Sequence, residues 1–205
     1  MKTISIERYP DSDWTAIAEM LASDNVVSPT GFPVSLIADS ALVRVSTPLF
    51  VPDFARDWLL QVVPFVTIGR LGKSIPERFA HRYTEGFGLG VRLVPPIPDT
   101  SVNAALMATF DGAFAPSEPV EIPSGNDVLR IECRQCGAAG NEVSVDVPVA
   151  DMHIDGAVSL VSRYVTLKTG DIISPCMLPV TFPAIIDSRI EIDLDGKRIL
   201  TLKIK

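Results

Sequence analysis

Seventeen prolines are scattered along this 205-residue chain, and they limit its architecture more than any other feature. Proline locks φ, lacks an N–H donor, and is poorly tolerated inside helices and central strands. Recurring at short intervals, it divides the chain into short segments. Several of these are rich in valine and isoleucine: Val34–Ala38, Val62–Ile68, Val128–Cys133, Ile185–Leu194 and Ile199–Ile204 read as strands. The last two flank Asp195-Gly196, a two-residue hairpin signal, so the chain is expected to end in an antiparallel hairpin.

Helices are fewer. Asp13–Ala22 places Trp14, Ile17, Ala18 and Leu21 at helical spacing behind an acidic or serine cap. Ser74-Ile75-Pro76-Glu77 has the capping-box pattern, and the helix it predicts runs through Phe79, Ala80 and Tyr83 to stop at Gly86. Asp155–Tyr164 is the third, with Ala157, Leu160, Val161 and Tyr164 on one side. Val94–Pro98 reads as a stiff extended connector. Strands outnumber helices without a regular β-α alternation, which predicts a β-rich α+β fold. Residues 1–32 read as an N-terminal strand and helix, residues 33–205 as the main body, and the two together as one structural domain.

Composition excludes several classes. With 47% hydrophobic residues the chain can bury a core without metal or disulfide staples. The formal charge of −7 argues against a general nucleic-acid binder, which needs a basic face. No run of 18 apolar residues exists, so no membrane helix is expected. The first residues carry a lysine but no apolar core, so no signal peptide is expected. Three cysteines, an odd number, suit reduced thiols and a cytoplasmic location.

Generic motifs are weak. Cys133-Arg134-Gln135-Cys136 has CxxC spacing, but zinc would need two more ligands from Cys176, His81 or His153, so a turn is the expected reading. His81 fits a solvated helix face, and His153 stands near Asp151 and Asp155 without a nucleophile-elbow pattern. Gly86-Phe87-Gly88-Leu89-Gly90 lacks the lysine and spacing of a phosphate loop.

Longer stretches carry more. Ile68-Gly69-Arg70-Leu71-Gly72-Lys73-Ser74-Ile75-Pro76, then Ala80-His81-Arg82-Tyr83 and Gly86-Phe87-Gly88-Leu89-Gly90, resembles the middle of the fumarylacetoacetate hydrolase family. Thr109-Phe110-Asp111-Gly112-Ala113-Phe114-Ala115-Pro116 is similar to its "KSFDGFAP", and Ser162-Arg163-Tyr164-Val165-Thr166-Leu167-Lys168-Thr169-Gly170-Asp171-Ile172-Ile173 to its "TLxxGDxI". Ala38–Leu42 and Val51–Phe54 resemble an earlier strand pair. The resemblance runs in order over roughly residues 33 to 205. It implies a mixed β-roll with small flanking helices, usually as a homodimer. It also implies a Mg²⁺ or Mn²⁺ ion held by three carboxylates, which chelates a 2-oxo acid and stabilises an enolate.

Carried over position by position, that metal site is changed. The Glu-x-Glu pair falls on Gln61 and Val63, the third ligand on Arg92, and the lysine before "SFDG" on Ala108. The N-terminal "GRNYxxHxxE" is reduced to Glu7-Arg8-Tyr9, and the "GTP" turn has become Cys176-Met177-Leu178. The stretch between Arg92 and Ala108 is shorter than in the family, and Asp111 is expected to be structural. Three carboxylates become one cation and no anion, a local change of about +4.

The resemblance therefore implies a fold retained around a lost centre, with no metal cofactor expected. Three readings stand. The first is a non-catalytic binding or partner subunit, as a homodimer or paired with an active paralogue. The second is an active hydrolase, decarboxylase or isomerase, or a small-carboxylate pocket, built on Arg92 with Gln61, Thr109 and Asp111; against it, Arg92 fills the vacated space and pairs with an acid such as Asp111 or Glu85. The third is a metal site elsewhere, drawn from Asp53, Asp57, Glu85, Asp99 and Asp111.

Overall fold

The computed structural model describes residues 1–10, 14, 34–44, 46–94, 109–137 and 140–205. Their strands form two sheets. The first contains β1 (Thr3–Ile6), β2 (Val34–Ile37), β3 (Leu59–Ile68), β4 (Thr84–Val94), β5 (Phe114–Pro116), β8 (Ile172–Ser174) and β9 (Thr181–Pro183). Its order is β2-β1-β8-β3-β4-β5, with β9 also on β3. Only β1 and β8 run parallel among these pairs, so the sheet is mixed. The second sheet has the order β11-β10-β6-β7, from β6 (Val128–Cys136), β7 (Asn141–Pro148), β10 (Arg189–Leu194) and β11 (Lys197–Lys203). The expected β-rich α+β architecture is the one observed.

The long pair β3–β4 positions everything that follows. Leu-Leu-Gln-Val-Val-Pro-Phe-Val-Thr-Ile is apolar on both faces, and most of β3 is buried. Pro64 within it survives because its missing N–H falls in a gap. The even-numbered N–H groups of β3 point away from β4: Val62 donates to Val180 O and Ile68 to Asp171 O. Pro64 lies between the stretch paired with β9 and the stretch paired with β8.

The first sheet curls into a roll. In a flat sheet β1 and β4 would lie three strand spacings apart, roughly 14 Å. Yet Arg92 on β4 hydrogen-bonds Ser5 on β1, and Leu42, just beyond β2, bridges Phe114 on β5. Inside the roll lies a small apolar cluster of Ile37, Ala41, Val63, Phe65, Ala113, Phe114 and Ile172. The larger core, including Leu60, Val62, Val91, Ile131 and Ile192, packs on the other face of β3 and β4.

The glycine run is explained by the inner cluster. Gly88 and Gly90 share a face of β4; a Cβ at Gly88 would stand 2.4 Å from the Phe65 ring, and one at Gly90 2.4 Å from the Phe114 ring. The run is a packing device that admits two aromatic rings.

Helices flank the sheets: α1 (Val149–Met152) and α2 (Ile154–Tyr164). The latter matches the expected element with a shifted face, since Ala157, Leu160 and Val161 are buried while Tyr164 is 47% exposed. Among the described residues no helix is long and apolar enough to cross a membrane. The predicted helix at residues 13–22 lies outside the described residues except for Trp14.

Two expectations are corrected. The capping-box segment forms a 3-10 helix, Glu77–Arg82, with no side-chain cap, and β4 begins at Thr84, so Gly86 is a strand residue. Ser74 has φ 51°, a left-handed conformation unlike the extended one an N-cap needs. The orphan donors are met from α2 instead: Ser74 N–H donates to Ser162 O and Ile75 N–H to Ser162 Oγ, both at 2.8 Å. The CxxC stretch is no turn. It lies within β6, where Cys133 faces the core and Cys136 is half-buried. The terminal hairpin is as expected, with positive φ at both Asp195 and Gly196.

Candidate functional site

The register of β3 and β4 brings the three implied ligand positions together. Gln61 stands opposite Arg92, and Val63 opposite Gly90. Opposed residues share a face, so Gln61, Val63 and Arg92 all point into the roll. They are 5%, 0% and 7% exposed.

Each does a job that does not need a metal. The Gln61 amide nitrogen donates toward Leu178 O, Val62 O and Val180 O, so it fastens the segment after Cys176 to β3. A carboxylate there would set acceptor against acceptor. Val63 belongs to the apolar cluster that contains Phe65 and Phe114. Arg92 Nη1 donates to Ser5 Oγ at 3.1 Å and to Glu7 Oε1 at 2.9 Å. Ser35 Oγ also donates to Glu7 Oε1. The acid that neutralises Arg92 is thus Glu7, and not Asp111 or Glu85, both of which are exposed. The reason is the curl of the sheet, which sets the polar side of β1 across from β4.

Glu7, Ser5 and Ser35 are the residues that sequence reasoning missed as partners. A signal was present: Ile4 and Ile6 alternate with Ser5 and Glu7, so one face of the strand is polar. Of the other candidate positions, Thr109 is half-buried and Asp111 exposed on the segment entering β5. Ala108 and Asp99 lie outside the described residues. Asp53 and Asp57 are exposed, and among the described residues no three His, Cys, Asp or Glu groups are arranged to hold a metal.

The donor set does not fit the ion that the family resemblance implies. Mg²⁺ and Mn²⁺ want hard oxygen ligands with one or two carboxylates. The three positions offer an amide already bonded to carbonyls, an isopropyl group and a guanidinium, and the carboxylate that reaches them, Glu7, is already paired with that guanidinium. Two unit positive charges 4 Å apart repel by about 4 kcal/mol at an effective dielectric of 20, and a divalent ion doubles this.

The remaining motif residues are structural. Asp171 of the Gly-Asp turn is 1% exposed. Its carboxylate accepts from Lys2 N–H at 3.0 Å and Lys168 N–H at 2.7 Å, and pairs with the Lys2 ammonium. Arg8 donates to Asp151 O at 3.0 Å and Met152 O at 2.8 Å, the carbonyls at the end of α1. Its guanidinium lies 4.5 Å from the Trp14 ring, which stacks on His153 at 4.7 Å. Burial, then Arg8, pushes the His153 imidazole below its ordinary value. Burial pushes the Cys133 and Cys176 thiols up to about 12, which keeps them protonated and unreactive.

No family model matches the sequence. The chain is 24% identical to mouse oxaloacetate tautomerase FAHD1, mitochondrial, over 184 residues, covering 84% of this chain and 81% of that protein. Among solved structures it is similar to a 5-carboxymethyl-2-hydroxymuconate delta-isomerase from Mycobacterium smegmatis, with TM-score 0.78, 16% identity, and 99% and 78% of the two chains covered. A fumarylpyruvate hydrolase from Pseudomonas aeruginosa, solved with Mn²⁺ and pyruvate, gives 0.76 at 16% identity over 100% and 89%. A fumarylacetoacetate hydrolase family protein from Yersinia pestis gives 0.74 at 19% over 100% and 93%. Together with the kept glycine, FDG and Gly-Asp segments, these similarities show that the chain carries the fold of the fumarylacetoacetate hydrolase family.

Proposed function

We propose that this chain is a non-catalytic member of its family, in which a salt bridge and an apolar plug have replaced the metal centre, and that it acts as a binding or partner subunit. The observation that carries the reading is the Arg92–Glu7 pair, flanked by Gln61 and Val63, at the positions where the resemblance implies three carboxylates. It works as a homodimer or beside an active paralogue, in the cytoplasm, where its free thiols stay reduced.

The test is turnover. Oxaloacetate tautomerisation and fumarylpyruvate hydrolysis, the activities named for its relatives, are assayed with Mg²⁺ and Mn²⁺. The expected rate is the buffer rate. Metal-dependent turnover that co-purifies with the protein and disappears with chelator would overturn the proposal.

A second reading has one specific support. Arg92 already holds a carboxylate, and the Glu7 side chain is 30% exposed, so a small external carboxylate could exchange with it. A melting-temperature rise with oxalate alone, absent in Arg92→Met, is its signature; no rise refutes it.

A further inference from the structure

The loop between β5 and β6 is laced to β4 by two hydrogen bonds, Phe87 N–H to Val120 O at 2.9 Å and Val120 N–H to Phe87 O at 2.6 Å. Ile122 and Pro123 follow, and both line two clefts. On one side a cleft of about 730 Å³ runs toward the β10–β11 hairpin. On the other, one of about 340 Å³ runs toward the 3-10 helix and the start of α2. The two clefts have only these two residues in common, and together they make up a groove on either side of the loop.

The groove has a consistent chemistry. The larger cleft has apolar walls in Phe87, Val120, Val128, Leu194 and Ile199, and Val128 is 59% exposed. Its polar residues include Glu121, Asp127, Asp195 and Lys197. The smaller cleft adds Glu77 and Asp155, with the imidazoles of His81 and His153. The groove thus carries five carboxylates against one lysine. Two of the carboxylates are fixed in place: Asp127 accepts from Ser124 N–H at 2.8 Å and Asp195 from Arg130 N–H at 2.9 Å. Nearby arginines are turned elsewhere, with Arg78 and Arg82 over the Phe79 ring and Arg130 on Glu132.

We propose that this groove docks a basic, leucine-studded segment of a partner protein, with lysine or arginine side chains along its acidic residues and apolar side chains against Val120, Val128 and Ile199. The sign of the charge excludes nucleic acid and anionic membrane as the occupant. Exposed apolar surface framed by one sign of charge is what such a segment recognises. Phe87 points to the opposite face of β4 from Arg92, so failure of binding here leaves the reading of the Arg92 centre untouched, and the reverse also holds.

The probes are three fluorescein-labelled twelve-residue peptides on one pattern, lysine–leucine, glutamate–leucine and lysine–serine, followed by anisotropy. Expected is saturable binding of the lysine–leucine peptide at least tenfold tighter than either other peptide, and weakened severalfold as salt rises from about 50 to 500 mM. Glu77→Lys with Glu121→Lys should weaken it at least tenfold. Asp39→Lys with Asp53→Lys, an equal charge change on other exposed sites, should leave it within twofold. Equal binding of all three peptides, or equal loss in both double variants, would overturn the proposal. So would a dimer in light scattering that Val128→Asp dissociates, because the groove would then be covered by a second copy. The comparison of peptides on the wild-type chain holds even if a variant does not fold.

Discussion

Glu7→Ala tests the ion pair that stands at the implied ligand positions. Arg92 is 7% exposed, and its acid partner is 30% exposed at the side chain. Removing one partner of a fully buried pair typically costs about 3–5 kcal/mol, because the other charge is left uncompensated. Water reaches Glu7, so the cost here is lower, about 2 kcal/mol. For a domain of this length that is a fall of about 4–8 °C in melting temperature. Arg92→Met alone leaves Glu7 near water and should cost less. The double variant, with neither charge, should be more stable than the sum of the single effects by about 1–2 kcal/mol, since contacting residues couple. Urea unfolding of the four proteins of this cycle measures the coupling directly. A Glu7→Ala change within 0.5 kcal/mol of wild type, or strict additivity, would refute the ion-pair account.

Three further outcomes are expected. Gly90→Ala places a methyl 2.4 Å from the Phe114 ring and should destabilise by about 1–3 kcal/mol in urea melts, whereas a loop role for the glycine run predicts little change. His153 has a lowered pKa in the fold, from burial and Arg8, opposed by Asp151 and Glu77; the unfolded chain therefore binds more protons just below about pH 6.5, and stability should fall as pH drops through that window. His153→Asn, which keeps a residue that tolerates its left-handed φ of 50°, should flatten that slope. Of the three thiols, half-buried Cys136 should react with a disulfide reagent at pH 8 in the native state, while Cys133 and Cys176 react only on unfolding; fast reaction of all three would contradict the packing.

Much of this was legible in local pattern. The Asp195-Gly196 hairpin and the helix over Ile154–Tyr164 follow from turn chemistry and periodicity. Because strand residues i and i+2 share a face, the joint placement of Gln61 and Val63 was readable, and their register with Arg92 agrees. What was not legible depends on long-range placement. The partner of Arg92 lies 85 residues away and reaches it only because the sheet curls. The 3-10 helix at Glu77 is governed by Ser162 on a distant helix, which overrides the local capping pattern. The CxxC spacing says nothing of the pairing with β10 and β7 that keeps it extended.

On the proposed reading, Gln61, Val63 and Arg92 hold no divalent ion. Titrating Mn²⁺ into the protein and following free Mn²⁺ by electron paramagnetic resonance, with and without oxalate, tests it most directly. The account predicts a free-Mn²⁺ signal equal to that in buffer at protein concentrations up to the millimolar range. Stoichiometric loss of that signal, abolished in Glu7→Ala or Gln61→Ala, would show a working metal centre at this face and contradict it.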